Sequence, residues 1–149
     1  FTHLSSGKYH TCGMKSDGSV SCWGYDYYVQ VSNAPSSGGF THLSPGYYHT
    51  CGVESDGSVS CWGRNSEEQV SNAPSSGVFT QLSSGNYHTC GLESDGSVSC
   101  WGMSGSINGT PSTGTFVEIQ AIRESTCGII EAGNVICWGD STSGQLNPP

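Results

Sequence analysis

His10, Cys12 and Cys22 are the densest set of chemically able side chains in the sequence, all within "YHTCGMKSDGSVSCWG" (residues 9–24). The set returns as His49, Cys51 and Cys61 and as His88, Cys90 and Cys100; a fourth copy keeps Cys127 and Cys137, with Glu124 and Ser125 replacing the Tyr-His pair. Three chemistries suit such residues: a zinc site, a nucleophilic thiolate beside a base, or a disulfide. Structural zinc sites draw on closely spaced Cys-x2-4-Cys pairs, whereas each pair here is separated by ten positions, and the fourth keeps both sulfurs without the histidine. A nucleophilic cysteine needs a free thiolate in a constellation gathered from different segments, and a set repeated at one period is unlike that. Asp17, Asp56 and Asp95 stand at turn positions that favour Asp for local hydrogen bonding, not for paired-carboxylate acid–base work. The reading is a non-enzyme, with no catalytic residue, metal or cofactor.

The disulfide reading follows from the turn. Ser16-Asp17-Gly18 makes a three-residue hairpin loop whose glycine can take positive φ. Such a loop pairs Lys15 with Ser19, Met14 with Val20, Gly13 with Ser21 and Cys12 with Cys22. Counting from a hydrogen-bonded closing pair puts the cysteines on a non-hydrogen-bonded rung, where Cα atoms approach to about 4.5 Å, within a disulfide's span. The same count joins Cys51 to Cys61, Cys90 to Cys100 and, across "EAGN", Cys127 to Cys137. Each bond closes a loop for which chain entropy gives roughly 3 kcal/mol at most. Eight cysteines in a small chain with few lysines imply an oxidising compartment, hence an extracellular protein, secreted or at a cell surface.

The hairpins must be held by a repeat. Phe1, Phe40, Phe79 and Phe116 open four units at spacings of 39, 39 and 37 residues, giving repeats 1–39, 40–78, 79–115 and 116–149. Each reads as a short strand ("FTHLS"), a Gly turn, a strand with the first Cys, an "SDGS" turn, a strand ending in "CWG", and a polar loop such as "QVSNAPSSG". No stretch carries apolar residues at helical spacing, and only 34% of the chain is hydrophobic, so the expectation is all-β with a thin core that the disulfides reinforce. The sequence starts at Phe1 rather than Met and has no signal peptide or transmembrane run, so it reads as processed or excerpted. Gln145 follows Cys137 by the eight residues that separate Gln30 from Cys22, which places Pro149 where Ala34 falls. A formal charge of −8, with Lys8, Lys15, Arg64 and Arg123 as the permanent cations, excludes nucleic acid and anionic membranes as partners.

Within this frame Trp23, Trp62, Trp101 and Trp138 read as packing anchors between neighbouring units, and His10, His49 and His88 as partly buried side chains tied to backbone groups. The segments after "CWG" vary ("YDYYVQ", "RNSEEQ", "MSGSIN", "DSTSGQ") while the frame stays fixed. Variable loops on a rigid repeat mark a binding face, with Tyr25, Tyr27, Tyr28, Arg64, Asn65, Glu67 and Glu68 as its candidates. Asn108-Gly109-Thr110 is a glycosylation sequon whose chance occurrence in so Ser- and Asn-rich a chain is the simpler reading.

The pattern carried by Gly46, His49, Gly57, Val59, Trp62, Gly63, Asn65 and Gln69, with equivalents in the other units, resembles the regulator of chromosome condensation repeat in its compact, Cys-paired bacterial form. The resemblance implies four-stranded β-propeller blades, commonly seven to a ring. It also implies roles ranging from nucleotide exchange on a small GTPase to enzyme inhibition and cell-surface interaction. The intracellular roles do not transfer to an acidic, disulfide-bonded chain. Four units fall short of the usual ring, and an unclosed propeller is expected to expose two sheet edges. The expected function is protein–protein binding, either to a protein partner or, if the chain ends near Pro149, to copies of itself in a homo-oligomeric ring or filament. A lectin-like module binding glycan through its aromatic residues and a secreted enzyme inhibitor are the rivals.

Overall fold

A computed structural model describes residues 1–142 and 144–148; Pro149, the counterpart of Ala34, lies outside them. Four three-stranded antiparallel sheets succeed one another along the chain. They are β1 (His3–Ser6), β2 (His10–Met14) and β3 (Val20–Gly24); β4 (Phe40–Pro45), β5 (His49–Glu54) and β6 (Val59–Gly63); β7 (Phe79–Ser84), β8 (His88–Glu93) and β9 (Val98–Gly102); and β10 (Phe116–Ile122), β11 (Ser125–Ile130) and β12 (Val135–Gly139). The hairpin register is the expected one: Met14 faces Val20, Gly13 faces Ser21 and Cys12 faces Cys22. Gly18 takes φ 77°, and Asp17 Oδ1 accepts hydrogen bonds from the Ser19 amide and hydroxyl at 2.9 and 2.7 Å, which fixes the turn. All eight cysteines are bonded as expected, with Cα atoms 4.0–4.1 Å apart.

The core lies between sheets rather than within any one of them. Each junction combines a disulfide and aliphatic groups from one sheet with Phe, an aliphatic residue and Trp from the next. Cys12 and Val20 pack with Phe40, Leu43 and Trp62; Cys51 and Val53 with Phe79, Leu82 and Trp101; Cys90 and Leu92 with Phe116, Ile119 and Trp138. Directional bonds cross the first two junctions, where Trp62 Nε1 donates to Gln30 O and Trp101 Nε1 to Gln69 O, both at 3.1 Å.

Four expectations are corrected. The histidines are not tied to backbone: His10 is buried and His49 and His88 fully so, and their Nε2 atoms hydrogen-bond Thr50, Thr89 and Thr126 Oγ1 of the following sheet at 2.7–2.9 Å. They bridge units. Trp23 does not pack between the described units: Trp62, Trp101 and Trp138 each lean on the preceding sheet, whereas Trp23 is 47% exposed beside Phe1. Each sheet has three strands, not four. The segment after "CWG" winds into turns held by Asp26 Oδ1, which accepts from the Val31 and Ser32 amides, and by Asn65 Oδ1, which accepts from those of Val70 and Ser71. In the third unit it forms the single turn of α1 (Ser104–Ile107). Finally, neighbouring units meet through sheet faces rather than sheet edges.

This arrangement separates the tryptophans energetically. Trp62→Ala removes a side chain only 5% exposed and should destabilise by about 3–5 kcal/mol, whereas Trp23→Ala should cost under about 1 kcal/mol. Urea midpoints of the two variants check this; equal losses would contradict it.

A tyrosine face as candidate functional site

The strand ends decide which side chains meet. Gly7, Gly46 and Gly85 each begin a two-residue turn that the following histidine closes through its carbonyl, as in the bond from Gly46 N to His49 O at 2.8 Å. The turn residues are Lys8-Tyr9, Tyr47-Tyr48 and Asn86-Tyr87. With the histidine committed to the interior, the tyrosine before it projects outward. The segment after each "CWG" returns to the same end of its sheet, since Tyr25 N donates to Tyr9 O, Arg64 N to Tyr48 O and Met103 N to Tyr87 O at 2.9–3.0 Å. Gly24, Gly63 and Gly102 permit this return with φ of 101–115°, where an added Cβ would stand 2.4–2.7 Å from the same tyrosine carbonyl.

As a result all seven tyrosines of the chain form one continuous ring network. Tyr9 stacks on Tyr48 with centroids 5.2 Å apart, and Tyr47 on Tyr87 at 5.8 Å. Tyr28 meets Tyr48 at 5.1 Å, and Tyr27 meets Tyr28 at 5.0 Å. Tyr25 joins Tyr9 to Tyr27. Two of the four permanent cations stand among them. Lys8 Nζ lies 4.0 Å from the centre of the Tyr47 ring and donates to its hydroxyl, a bond that raises the lysine's pKa. Arg64 Cζ lies 4.8 Å from the Tyr87 ring and 5.3 Å from that of Tyr28. Burial raises the Tyr48 pKa, so the hydroxyl stays protonated and able to donate. Tyr27 is the most open of the set at 76% exposed. Lys8 and Tyr47 also border a polar recess of about 610 Å³ whose other charged walls are Arg123, Glu124 and Asp140.

Of the residues singled out from sequence, Tyr25, Tyr27, Tyr28 and Arg64 come together here. Asn65 is occupied in holding its own loop, and Glu68 accepts a hydrogen bond from Asn72. The Glu67 amide donates to the wholly buried Gln69 side chain, which gives Glu67 a place in the loop's frame. Sequence reasoning missed Tyr9, Tyr47, Tyr48, Tyr87 and Lys8. The signal was present in the recurrent "YH", where one residue turns inward and its predecessor must turn out. Among the described residues no group of three or more His, Cys, Asp or Glu side chains is placed to hold a metal.

A sequence profile of the regulator of chromosome condensation (RCC1) repeat matches residues 1–30, 40–69 and 79–106, more than half of the chain. The chain belongs to this repeat family. No curated protein matches the sequence. Among solved structures the chain is similar to the CRINKLY WD40 ectodomain of the Arabidopsis thaliana receptor kinase ACR4, at 31% identity and TM-score 0.79 over 91% of this chain and 49% of that one. It is also similar to the ectodomain of the Physcomitrella patens receptor kinase CR4, at 30% identity and TM-score 0.79 over 98% and 42%. Prp20p from Saccharomyces cerevisiae matches at 16% identity and TM-score 0.78 over 92% and 44%, a likeness of fold alone. The RCC1-repeat chain is thus a run of β-propeller blades that spans half or less of the length of these structures.

Proposed function

We propose that the chain is an extracellular binding protein, not an enzyme, whose tyrosine face seats a protein partner bearing acidic side chains. The observation that carries this is the gathering of every tyrosine and two of the four permanent cations on one face of a chain whose formal charge is −8. Tyrosine and arginine dominate protein-binding surfaces, because they offer large rigid contact area with a polar tip at low entropic cost. The tyrosine rings hold Lys8 and Arg64 in place, and those cations with the phenol hydroxyls suit carboxylates. The nearby Asp26 carboxylate is already committed to its own loop. Four disulfides and the likeness to two receptor ectodomains support the extracellular setting. Inhibition of a secreted enzyme would be one consequence of such binding.

Panning a displayed random-peptide library against the chain tests the reading. Enriched peptides should be rich in Asp and Glu, bind less tightly as salt rises, and lose roughly ten- to thirty-fold in affinity on Arg64→Ala or Tyr27→Ala. Enrichment of peptides indifferent to both substitutions would overturn it. Binding on a glycan array that Tyr27→Ala abolishes, without peptide enrichment, would transfer the face to the lectin reading.

A further inference from the structure

The disulfides are all staples within a unit, joining Cys12 to Cys22, Cys51 to Cys61, Cys90 to Cys100 and Cys127 to Cys137. The tyrosines, in contrast, cross from unit to unit. Tyr9 of the first unit lies on Tyr48 of the second with ring centroids 5.2 Å and planes 14° apart, and Tyr47 of the second lies on Tyr87 of the third at 5.8 Å and 10°. Near-parallel rings at such separations are offset, so the edge of one lies over the face of the other. Burial, and then the Tyr9 hydroxyl, raise the Tyr48 pKa. The two oxygens therefore lie at the same end of the stack, and the ring carbons ortho to one stand beside those ortho to the other. We propose that Tyr9 and Tyr48 form a site of oxidative coupling, joined by an extracellular peroxidase and hydrogen peroxide into a dityrosine that ties the first unit to the second.

The reaction takes one electron and one phenol proton from each ring. The two phenoxyl radicals then join carbon to carbon at their ortho positions. The hydrogens on those carbons move to the oxygens, which restores both hydroxyls and both aromatic rings. The two electrons and two protons released reduce one hydrogen peroxide to two waters. Tyr27, 76% exposed, is where an oxidant reaches the network. Its ring lies 5.0 Å from that of Tyr28, which lies 5.1 Å from that of Tyr48, so a radical formed outside passes inward as touching phenols exchange an electron and a proton. Tyr48 also touches Tyr25 and Tyr47, which makes it the ring on which the routes converge. A second oxidation supplies the partner radical on Tyr9, and holding the two rings together turns a slow encounter into a reaction within one chain. Thiolates are the usual first target of an oxidant, and none competes here because all eight cysteines are bonded to one another. The product is a carbon–carbon bond across a junction, untouched by the reductants that open the disulfides.

Treating the dilute wild-type chain with a haem peroxidase and limiting hydrogen peroxide tests the proposal. The intact mass should fall by two hydrogens while the chain stays monomeric, and the blue fluorescence of a biphenol should appear. Cleavage after Lys8 and Lys15 isolates Tyr9 on residues 9–15, and cleavage after Arg64 leaves Tyr48 within residues 16–64. Once the disulfides are reduced and alkylated, these two peptides should remain joined, with fragmentation placing the link at Tyr48. Tyr48→Phe and Tyr9→Phe should each slow the coupling at least about ten-fold and keep the near-ultraviolet signal of the buried tryptophans. If either variant loses that signal, the peptide map of the wild type decides alone. Products that are only chain-to-chain dimers, a link that joins other residues, or coupling at the wild-type rate in both folded variants overturns the inference. The acidic-partner reading is independent of this outcome, because it is tested by panning on the unoxidised chain.

Discussion

Reducing the disulfides in the absence of denaturant is expected to unfold the chain. Each bond closes a hairpin of sequence separation 10, a constraint worth roughly 3 kcal/mol as an upper figure. Four of them approach the whole stability of an ordinary domain, about 5–15 kcal/mol. They also form part of the packing, since Cys12, Cys51 and Cys90 are completely buried within the junctions. Cys127 is only partly covered, so a water-soluble phosphine should open Cys127–Cys137 first, and the remaining three should open together as the stack comes apart. Alkylation and intact-mass analysis over time, with circular dichroism in parallel, reads both events. Full reduction with an unchanged near-ultraviolet spectrum would show that the staples are dispensable.

Acid should destabilise the fold well above the carboxylate range. Burial holds His49 down to about 3 and His88 to about 4, and lowers His10 despite the opposing pull of Asp26. An unfolded chain protonates its histidines near pH 6.5. Above that pH neither state carries the extra proton and stability is level; below it the unfolded state binds more protons, so stability falls as pH falls. Each deeply buried histidine then removes about 1.4 kcal/mol per pH unit until its folded pKa is reached. His49 and His88 together should thus remove about 5 kcal/mol between pH 6.5 and 4.5. Asp17, Asp56 and Asp95, whose pKa values are lowered by the serines they bond, add their own loss only at still lower pH. Urea midpoints across this range measure the slope, and His88→Gln should roughly halve it. A midpoint constant from pH 7 to 4.5 would contradict the burial of neutral imidazoles at the junctions.

Much of the frame was legible in the residues because it is local. The "SDGS" turn sets the register, the register places Cys12 opposite Cys22, and the period of the phenylalanines counts the units. What stayed hidden depends on how one unit meets the next. The partner of His49 is a threonine 40 residues away, and nothing in the spacing says that the two sheets stack to bring them together. The exposure of Trp23 has the same origin, since its sequence context matches that of Trp62 and only its place among the described units differs. The tyrosine face was half seen. Tyr25, Tyr27, Tyr28 and Arg64 stood out as variable, but Tyr9, Tyr48 and Tyr87 looked like part of the invariant frame. Only the return of the post-"CWG" segment onto the tyrosine carbonyl joins the two groups.

A protein partner is expected to sit on the tyrosine face and not on the hairpin tips. Nuclear magnetic resonance of the chain with ¹³C-labelled tyrosine and tryptophan rings, titrated with an acidic peptide recovered by panning, addresses it residue by residue. Saturable shifts are expected in the tyrosine signals, led by Tyr27, Tyr28 and Tyr48, while the buried Trp62, Trp101 and Trp138 and the half-exposed Trp23 stay unmoved. Shifts confined to Trp23, or tyrosine signals that remain in place while the peptide binds, would contradict it.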